Sequence, residues 1–311
     1  MIRAATPSET FSTAPPEAAT SGAGLSGLKR SATLALSRRL TPLLRTVSCG
    51  EIGGETLADA WSVAQRIVAR GDTYTLGLWD DASYRPGELV DEAHGAIERI
   101  AGSGTSGYLS IKPPALGFDS AVARELGRAA ARTRVRLHCD SHGIEVADRT
   151  FAFLGEMARE APSALLSVSI PGRWRRSLSD ATRMLRAGIG IRIVKGQWPD
   201  ADGTDADLAD GFLAVVDAIQ GSEGRIALAS HDARLIGLSA ERLGGTPYEI
   251  EFIQGLETPL LRQLAAASGR PPCVYIPYGR GFIPSALQTL RRNPRLALSL
   301  VRAALSPQTS R

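Results

Sequence analysis

Short apolar runs alternate with longer amphipathic segments along the chain from residue 72 onward. Each run has six or seven residues, and the loop that follows it is polar or contains glycine or proline. Runs of this length, bounded by turn residues, predict β-strands. The eight runs are YTLGLW (74–79), GYLSIK (107–112), RVRLHC (134–139), ALLSVSI (164–170), GIRIVK (190–195), RIALAS (225–230), YEIEFI (248–253) and CVYIPY (273–278).

The segments between the runs have apolar residues at positions i, i+3, i+4 and i+7, which predicts amphipathic helices. Four such segments cover 119–133, 177–188, 205–220 and 233–244. A last helix is predicted over 285–305, where Pro294 should kink or divide it. Strands that alternate with helices pair in parallel through crossover helices. Eight such units therefore predict an α/β fold, a closed (β/α)8 barrel of the TIM-barrel type.

The residues before the first run have a different composition. Residues 1–28 are rich in Ala, Thr, Ser and Pro and predict a flexible tail, without the apolar core of about 7 to 15 residues that marks a secretory signal. Residues 29–71 predict an N-terminal helical arm. Its basic amphipathic part, 29–46, favours a helix lying on the fold, with weak membrane association or a transit peptide as alternatives. Residues 72–311 then form the barrel, the predicted catalytic domain.

Bulk composition narrows the class of protein further. The chain of 311 residues has 43% hydrophobic and 22% charged residues, which suits one large soluble domain. Its formal net charge of +4 is spread over segments that also carry Asp and Glu, so no nucleic-acid surface is predicted. No apolar run reaches the roughly 18 residues of a membrane span. Three cysteines without a CxxC pair fit a reducing compartment, and we expect a cytoplasmic protein.

Polar and ionisable side chains follow the predicted strands at their carboxyl ends, the face where such a barrel carries its active site. Only three lysines occur among 36 basic residues, and Lys112 and Lys195 both lie at strand ends. In a chain that prefers arginine, a retained lysine indicates a need for a compact charge or for a pKa that can shift. The strand-end residues are Asp80, Lys112, Asp140, His142, Pro171, Lys195, His231, Asp232, Gln254 and Tyr275.

Three short motifs suggest other chemistry, but their context disfavours it. GSGTSG (102–107) lies between a predicted helix and a predicted strand, the reverse of the order that dinucleotide binding requires. HCDSH (138–142) has metal-ligand residue types but no second His-rich element, so no metal site is predicted; instead Asp140 should face the barrel mouth and Cys139 should pack against a helix. The consecutive Ser230, His231 and Asp232 cannot form a triad with one another, because neighbours along a strand point to opposite faces.

Lys195 leaves two interpretations open on residue chemistry alone. A buried amine with a depressed pKa would predict a Schiff-base aldolase, as on other barrels with a strand-end lysine. A charged amine would predict an ion pair with a nearby carboxylate or a contact with a ligand phosphate.

Six motifs in this order resemble those of the proline dehydrogenase family. They are IKPPAL, the Asp140 strand, RIVKGQW, ALASHD, YEIEFIQGL and VYIPYG, beside family patterns of the kind SIKLSAL, IDAE, RLVKGAYW, FATHN, FEFQMLYGM and VYVPYG. The likeness runs from about residue 72 to 300. It implies a distorted barrel that binds FAD non-covalently, removes hydride from the carbon next to a secondary-amine nitrogen, and passes electrons to a quinone-type acceptor.

The resemblance also implies roles for individual residues. Its cofactor contacts are Arg192 near the isoalloxazine N5, Lys195 near the phosphates, Gly196, Trp198 over the adenine, Ser230 and His231. Its catalytic and substrate residues are Lys112 at the substrate carboxylate, Asp140 as its acidic neighbour, and Tyr275 and Leu256 as walls over the substrate ring.

The chain departs from the family pattern where the proline carboxylate is bound. The family's tandem arginine pair falls on Gln288 and Thr289 without a gap, while Arg291 and Arg292 follow three residues later. Pro171 stands where a flavin-contacting glutamine is expected. Each charge-assisted hydrogen bond contributes about 1.5 to 3 kcal/mol. The departure therefore predicts that the substrate is a modified, tethered or decarboxylated cyclic amine, or another amino acid, as in specialised metabolism. An aldolase or a non-catalytic homologue remains the alternative.

Overall fold

The computed structural model describes residues 53–81, 83–85, 87–201, 203 and 207–281. The tail (1–28), the arm up to residue 52 and the amphipathic segment 29–46 lie outside the described residues. So does the last predicted helix, with Pro294. The division of the chain into tail, arm and barrel therefore stays a prediction.

Eight parallel strands close into a barrel in chain order, which confirms the predicted fold class. The last strand pairs with the first along its full length, from Thr73 opposite Cys273 to Leu78 opposite Tyr278, so the sheet has no open edge. Each strand begins and ends within two residues of a predicted run. The strands are β1 (Thr73–Leu78), β2 (Tyr108–Ile111), β3 (Arg136–Cys139), β4 (Leu166–Pro171), β5 (Gly190–Val194), β6 (Ile226–Ala229), β7 (Glu249–Ile253) and β8 (Cys273–Tyr278).

Helices precede or connect the strands, and their starts follow from local capping chemistry. The predicted helix over 119–133 begins after Asp119, whose carboxylate accepts hydrogen bonds from two backbone N–H groups of the first turn. None of the described helices has both the length and the apolar character needed to traverse a bilayer. The described α-helices are α1 (Leu57–Val68), α2 (Glu88–Ser103), α3 (Ser120–Thr133), α4 (Ala147–Ala158), α5 (Ser177–Arg186), α6 (Leu208–Ala218), α7 (Ala233–Leu243) and α8 (Pro259–Ala267).

The apolar core lies between the barrel and its helices. Outward-facing strand residues such as Leu76, Leu137 and Leu228 are fully buried there. Cys139 packs against α4 with its Sγ 4.0 Å from the Sδ of Met157, as the sequence predicted. Helix α1, the described end of the arm, buries Ala60, Val63, Ala64 and Ile67 in this same core.

The inside of the barrel is polar, whereas barrels of this class usually fill it with layers of branched apolar residues. Inward-facing positions on the strands carry hydroxyl, imidazole, guanidinium and carboxylate groups that are almost completely buried. Such groups persist away from water only when they are paired, so the barrel interior must contain a hydrogen-bonded network. Its buried members include Thr75, His138, Ser167, Ser169, Arg192 and Glu251.

Candidate active site

Asp140 follows β3 at the barrel mouth and is held there by two donors. The Tyr275 hydroxyl donates to its Oδ2 at 3.1 Å, and Arg192 Nη1 donates to its Oδ1 at 2.8 Å. His138 Nε2 lies 3.6 Å from the same Oδ1. The carboxylate is thus fixed at the carboxyl ends of β3, β5 and β8, where barrel enzymes carry out chemistry.

Arg192 extends from β5 into the barrel between two carboxylates. Its Nη1 reaches Asp140, its Nη2 lies 2.8 Å from Glu251 Oε1, and its Nε donates to Glu251 Oε2 at 3.1 Å. Although burial lowers the pKa of Arg192, the negative charges of Glu251 and Asp140 raise it well above its usual value. The side chain therefore carries a permanent positive charge that the protein itself has already paired.

Glu251 and Tyr108 were not singled out by the sequence analysis, yet both belong to this network. The Tyr108 hydroxyl donates to Glu251 Oε2 at 2.6 Å and accepts from Arg192 Nη2 at 3.1 Å. Burial raises the pKa of Tyr108, so its hydroxyl stays protonated and acts as a donor. A signal was present in YEIEFI, where Glu249 and Glu251 alternate with apolar residues and so share the inward face.

Lys112 follows β2, the strand that pairs with β3, and so lies near Asp140, whose backbone N–H donates to the Ile111 carbonyl at 2.9 Å. Its Nζ donates to the Leu78 carbonyl at 2.9 Å, lies 3.7 Å from Asp80 Oδ1, and sits 5.0 Å from the centre of the Trp79 ring. Burial lowers the pKa of Lys112, while the charges of Asp140 and Asp80 oppose that shift. Lys112 is therefore a cation at the edge of an apolar recess that also involves Leu78, Leu89, Ile111, Ala115 and Leu116.

Tyr275 presents its ring next to these charged groups. Its hydroxyl accepts a hydrogen bond from Trp79 Nε1 at 3.3 Å while donating to Asp140, which fixes the ring. Burial raises the pKa of Tyr275 well above its usual value, so the phenol is neutral. Leu256, the other predicted ring wall, lies half-buried in the turn after β7, where its N–H donates to the Ile253 carbonyl at 3.1 Å.

Lys195 forms an ion pair, one of the two interpretations that its sequence context left open. Its Nζ lies 3.0 Å from Asp232 Oδ2, and 35% of the side chain is exposed. Asp232 also caps α7 by accepting the N–H of Leu235 at 3.1 Å. A Schiff-base lysine needs burial among apolar groups to lower its pKa, and Lys195 does not have that environment. The amine is instead available to bind an anion at the rim.

His231 is anchored through one ring nitrogen and open at the other. Its Nε2 accepts the backbone N–H of Ile253 at 3.0 Å, so the proton of the neutral ring is on Nδ1. Burial, with the charge of Lys195, lowers the pKa of His231 and keeps the ring neutral. Ser230 instead accepts the N–H of Asp232 at 3.2 Å. His231 thus contacts neither the Ser230 hydroxyl nor the Asp232 carboxylate, and the three residues form no triad.

The loops after β4 and β5 are fastened to each other. Gly196 has φ +96°, and a Cβ there would come within 2.9 Å of the Pro171 Cβ. Trp174 Nε1 donates to the Trp198 carbonyl at 3.0 Å. Arg173 Nη1 donates to the Gln197 carbonyl at 3.0 Å. Trp198, three positions after Lys195, is 44% exposed, so its aromatic ring is accessible to a ligand.

The donors at the mouth fit the FAD that the family resemblance implies. Lys195 supplies a compact cation for a phosphate, His231 supplies a neutral Nδ1–H, and Trp198 supplies an accessible ring for a base. Within the described ranges, no cluster of three or more His, Cys, Asp or Glu side chains could hold a metal ion. The predicted carboxylate ligands Gln288, Thr289, Arg291 and Arg292 lie outside the described residues.

The chain is similar to known proteins in sequence and in fold. It is 25% identical over 280 residues to a proline dehydrogenase of Deinococcus radiodurans, covering 82% of this chain and 88% of that relative. No family model matches the chain.

Two solved structures share the barrel. Proline utilization A (PutA) from Bdellovibrio bacteriovorus, inactivated by N-propargylglycine, superposes with a TM-score of 0.66 at 17% identity over 83% of this chain. PutA from Corynebacterium freiburgense gives 0.60 at 17% identity over 93%. This chain spans only about a third of those longer proteins, 33% and 35% respectively.

Proposed function

We propose that this chain, a divergent member of the proline dehydrogenase family, is a flavin-dependent oxidoreductase that oxidises the CH–NH group of proline or of a proline-like cyclic secondary amine to an imine. The observation that carries the proposal is the fixed carboxylate of Asp140 between Tyr275 and Arg192, with the Lys112 cation at the end of the neighbouring strand β2. An anion and a cation at the ends of neighbouring strands supply both charges that would recognise a zwitterionic cyclic amino acid.

The residues at the mouth divide the recognition of such a substrate. Lys112 would bind the substrate carboxylate. Asp140 would attract the amine nitrogen and stabilise the positive charge that develops on the C–N group as hydride leaves. Tyr275 would cover the ring, with Leu256 as a second apolar contact. FAD, when bound, takes up the two electrons that leave with the substrate hydrogen. Because these groups are already fixed, no reorganisation is needed during the reaction.

The rim residues would hold the cofactor. We assign Lys195 to the phosphates, His231 Nδ1–H and Ser230 to polar atoms of the cofactor, and Trp198 to the adenine. Gly196, which has no side chain, lets the β5 loop pack against Pro171 and Arg173 and would so hold Lys195 and Trp198 in place for the cofactor. Arg192 would contact the flavin ring.

The sequence also favours a particular class of substrate and of electron acceptor. Gln288 and Thr289 in place of an arginine pair favour a substrate other than free proline, such as a modified, tethered or decarboxylated cyclic amine of specialised metabolism. A quinone-type molecule is the proposed acceptor, and a cytoplasmic location stays a prediction.

A spectrum of the purified protein tests the proposal. We expect a yellow protein with the absorbance of an oxidised flavin, which bleaches without oxygen when L-proline or a panel of cyclic secondary amines is added and recovers with a soluble quinone. Protein that stays colourless after incubation with FAD would contradict the proposal and indicate a non-catalytic relative. Borohydride trapping of a carbonyl compound on Lys112 or Lys195, read by mass, would indicate an aldolase instead.

A further inference from the structure

The positive charge of Arg192 is compensated by carboxylates inside the protein, and this compensation affects the reduction potential of a bound flavin. We propose that Glu251 is a positioning residue that fixes Arg192 and, by compensating its charge, lowers the reduction potential of the bound flavin. The inference rests on the proposed function, since it requires that FAD binds at this mouth.

Glu251 is buried, and each oxygen of its carboxylate contacts two donors. It is 2% exposed. Its Oε1 lies 2.8 Å from Arg192 Nη2 and accepts from the Thr75 hydroxyl at 3.3 Å. Its Oε2 accepts from Arg192 Nε at 3.1 Å and from the Tyr108 hydroxyl at 2.6 Å. The carboxylate is thus the anionic partner of Arg192, and it accepts from four donors in all.

Arg192 has few donors left for a ligand. A guanidinium has five N–H groups. Glu251 takes two of them, Tyr108 takes one on Nη2, and Asp140 takes one on Nη1. One N–H on Nη1 remains, and the hydrogen bonds to Glu251 determine the direction in which it points.

Arg192 and the two carboxylates that contact its guanidinium have a negative net charge. Arg192 carries one positive charge, and Asp140 and Glu251 each carry a negative one. His138, which faces the same space, adds none, because burial and then the charge of Arg192 lower its pKa well below the usual value. Tyr108 and Tyr275 are protonated and neutral. Lys112 supplies a cation at the edge of this group, with Asp80 beside it.

This balance disfavours added negative charge. Reduction of a flavin to its anionic form is stabilised by a neighbouring cation and opposed by a neighbouring anion. An unpaired Arg192 would stabilise the anionic reduced flavin and so raise its reduction potential. Glu251 and Asp140 on the same guanidinium cancel this stabilisation. Glu251 thereby lowers the tendency of the bound flavin to accept electrons from the substrate.

Strand β7 provides a matched control in Glu249. It lies two residues earlier on the same inward face, about 6.6 Å further back along the strand, and is paired with Arg225. The side chains of Glu249 and Arg225 are 13% and 19% exposed. Glu249→Gln therefore removes the same charge from the same kind of ion pair at a greater distance from the flavin.

The midpoint potential of the flavin, measured in the full-length FAD-loaded protein, tests the inference. We expect Glu251→Gln to increase the affinity for reduced flavin relative to oxidised flavin by about tenfold, a rise of about 30 mV for a two-electron couple. Glu251→Asp, which keeps the charge, should stay near the wild-type potential, and Glu249→Gln should shift it much less. If Glu251→Gln fails to fold, Asp140→Asn removes the other anion from Arg192 and should raise the potential in the same direction.

The outcomes separate the inference from the proposed function. A wild-type protein that binds no FAD overturns the proposed function. A flavoprotein whose potential is unchanged in Glu251→Gln, or in Asp140→Asn where that variant replaces it, overturns the inference alone. Equal shifts in Glu251→Gln and Glu249→Gln would show a general electrostatic effect of the fold and would also overturn it.

Discussion

Arg192 and Glu251 form a two-pronged ion pair across the barrel interior, with Nη2 2.8 Å from Oε1 and Nε 3.1 Å from Oε2. The residues are 59 positions apart, on strands separated by β6. Such a pair contributes little net stability beside apolar packing, but breaking it leaves an uncompensated buried charge. The ion pair therefore makes the fold sensitive to the loss of either partner.

Arg192→Met is expected to destabilise the protein strongly. It leaves Glu251 and Asp140 without their shared cation, and removal of one partner of a buried pair costs about 3 to 5 kcal/mol in the free energy of unfolding. Urea denaturation measures the change. Arg242→Met is the control, because the Arg242–Asp217 pair is 42% and 55% exposed and should contribute at most about 1 kcal/mol. Equal losses in the two variants would contradict the prediction.

Lys195→Ala should weaken FAD binding while leaving the fold intact. The ion pair of Lys195 with Asp232 is partly exposed and contributes little to stability. A charge-assisted contact with a phosphate contributes about 1.5 to 3 kcal/mol, so the FAD dissociation constant should rise by about 10- to 150-fold. Flavin fluorescence titration measures it.

Two variants distinguish the charge of Lys195 from its shape. Lys195→Arg keeps the cation and should retain most of the affinity, while Asp232→Asn removes the competing anion and should not weaken binding. An unchanged dissociation constant in Lys195→Ala would show that the phosphates lie elsewhere.

Lys112 should give substrate binding a pH dependence. The protonated amine binds a carboxylate, and burial holds its pKa below the usual value of about 10.4. Affinity for an anionic ligand is therefore full below the lowered pKa and falls as the pH rises through it, earlier than for an exposed lysine. Inhibition by cyclopentanecarboxylate measures this without interference from a titrating substrate nitrogen. Lys112→Arg, whose guanidinium stays charged, should remove the alkaline loss; a loss unchanged in that variant would assign it to another group.

The sequence predicted the elements well because strand and helix signals are local. The run CVYIPY has the bounds of β8, and Asp119 caps its helix as its position before an amphipathic segment suggests. Cys139 and Asp140 also point as strand alternation predicts, one to a helix and one to the mouth.

The pairings inside the barrel could not be predicted in the same way. Glu251 meets Arg192 and Tyr108 across the barrel interior, and this depends on how eight strands close and not on the order of residues within any one of them. Lys195 likewise meets Asp232, which is 37 positions away. The family resemblance predicted that Arg192 contacts the cofactor but could not show that two carboxylates already hold its guanidinium.

Gly196→Ala should damage both stability and FAD binding. Gly196 adopts φ +96°, which L-residues rarely adopt, and an added Cβ would lie 2.9 Å from the Pro171 Cβ and 3.0 Å from the Arg173 side chain. Strain of this kind costs about 1 to 3 kcal/mol, and relief by moving the loop would displace Lys195 and Trp198. Gly155→Ala is the control, because Gly155 lies inside α4 with no atom within 4 Å of an added Cβ, and alanine there should stabilise the helix by about 0.4 to 1 kcal/mol. Thermal unfolding and flavin titration of both variants measure the effects. If the Gly196→Ala variant is as stable as the wild type and binds FAD as tightly, the β5 loop has no close neighbour in solution.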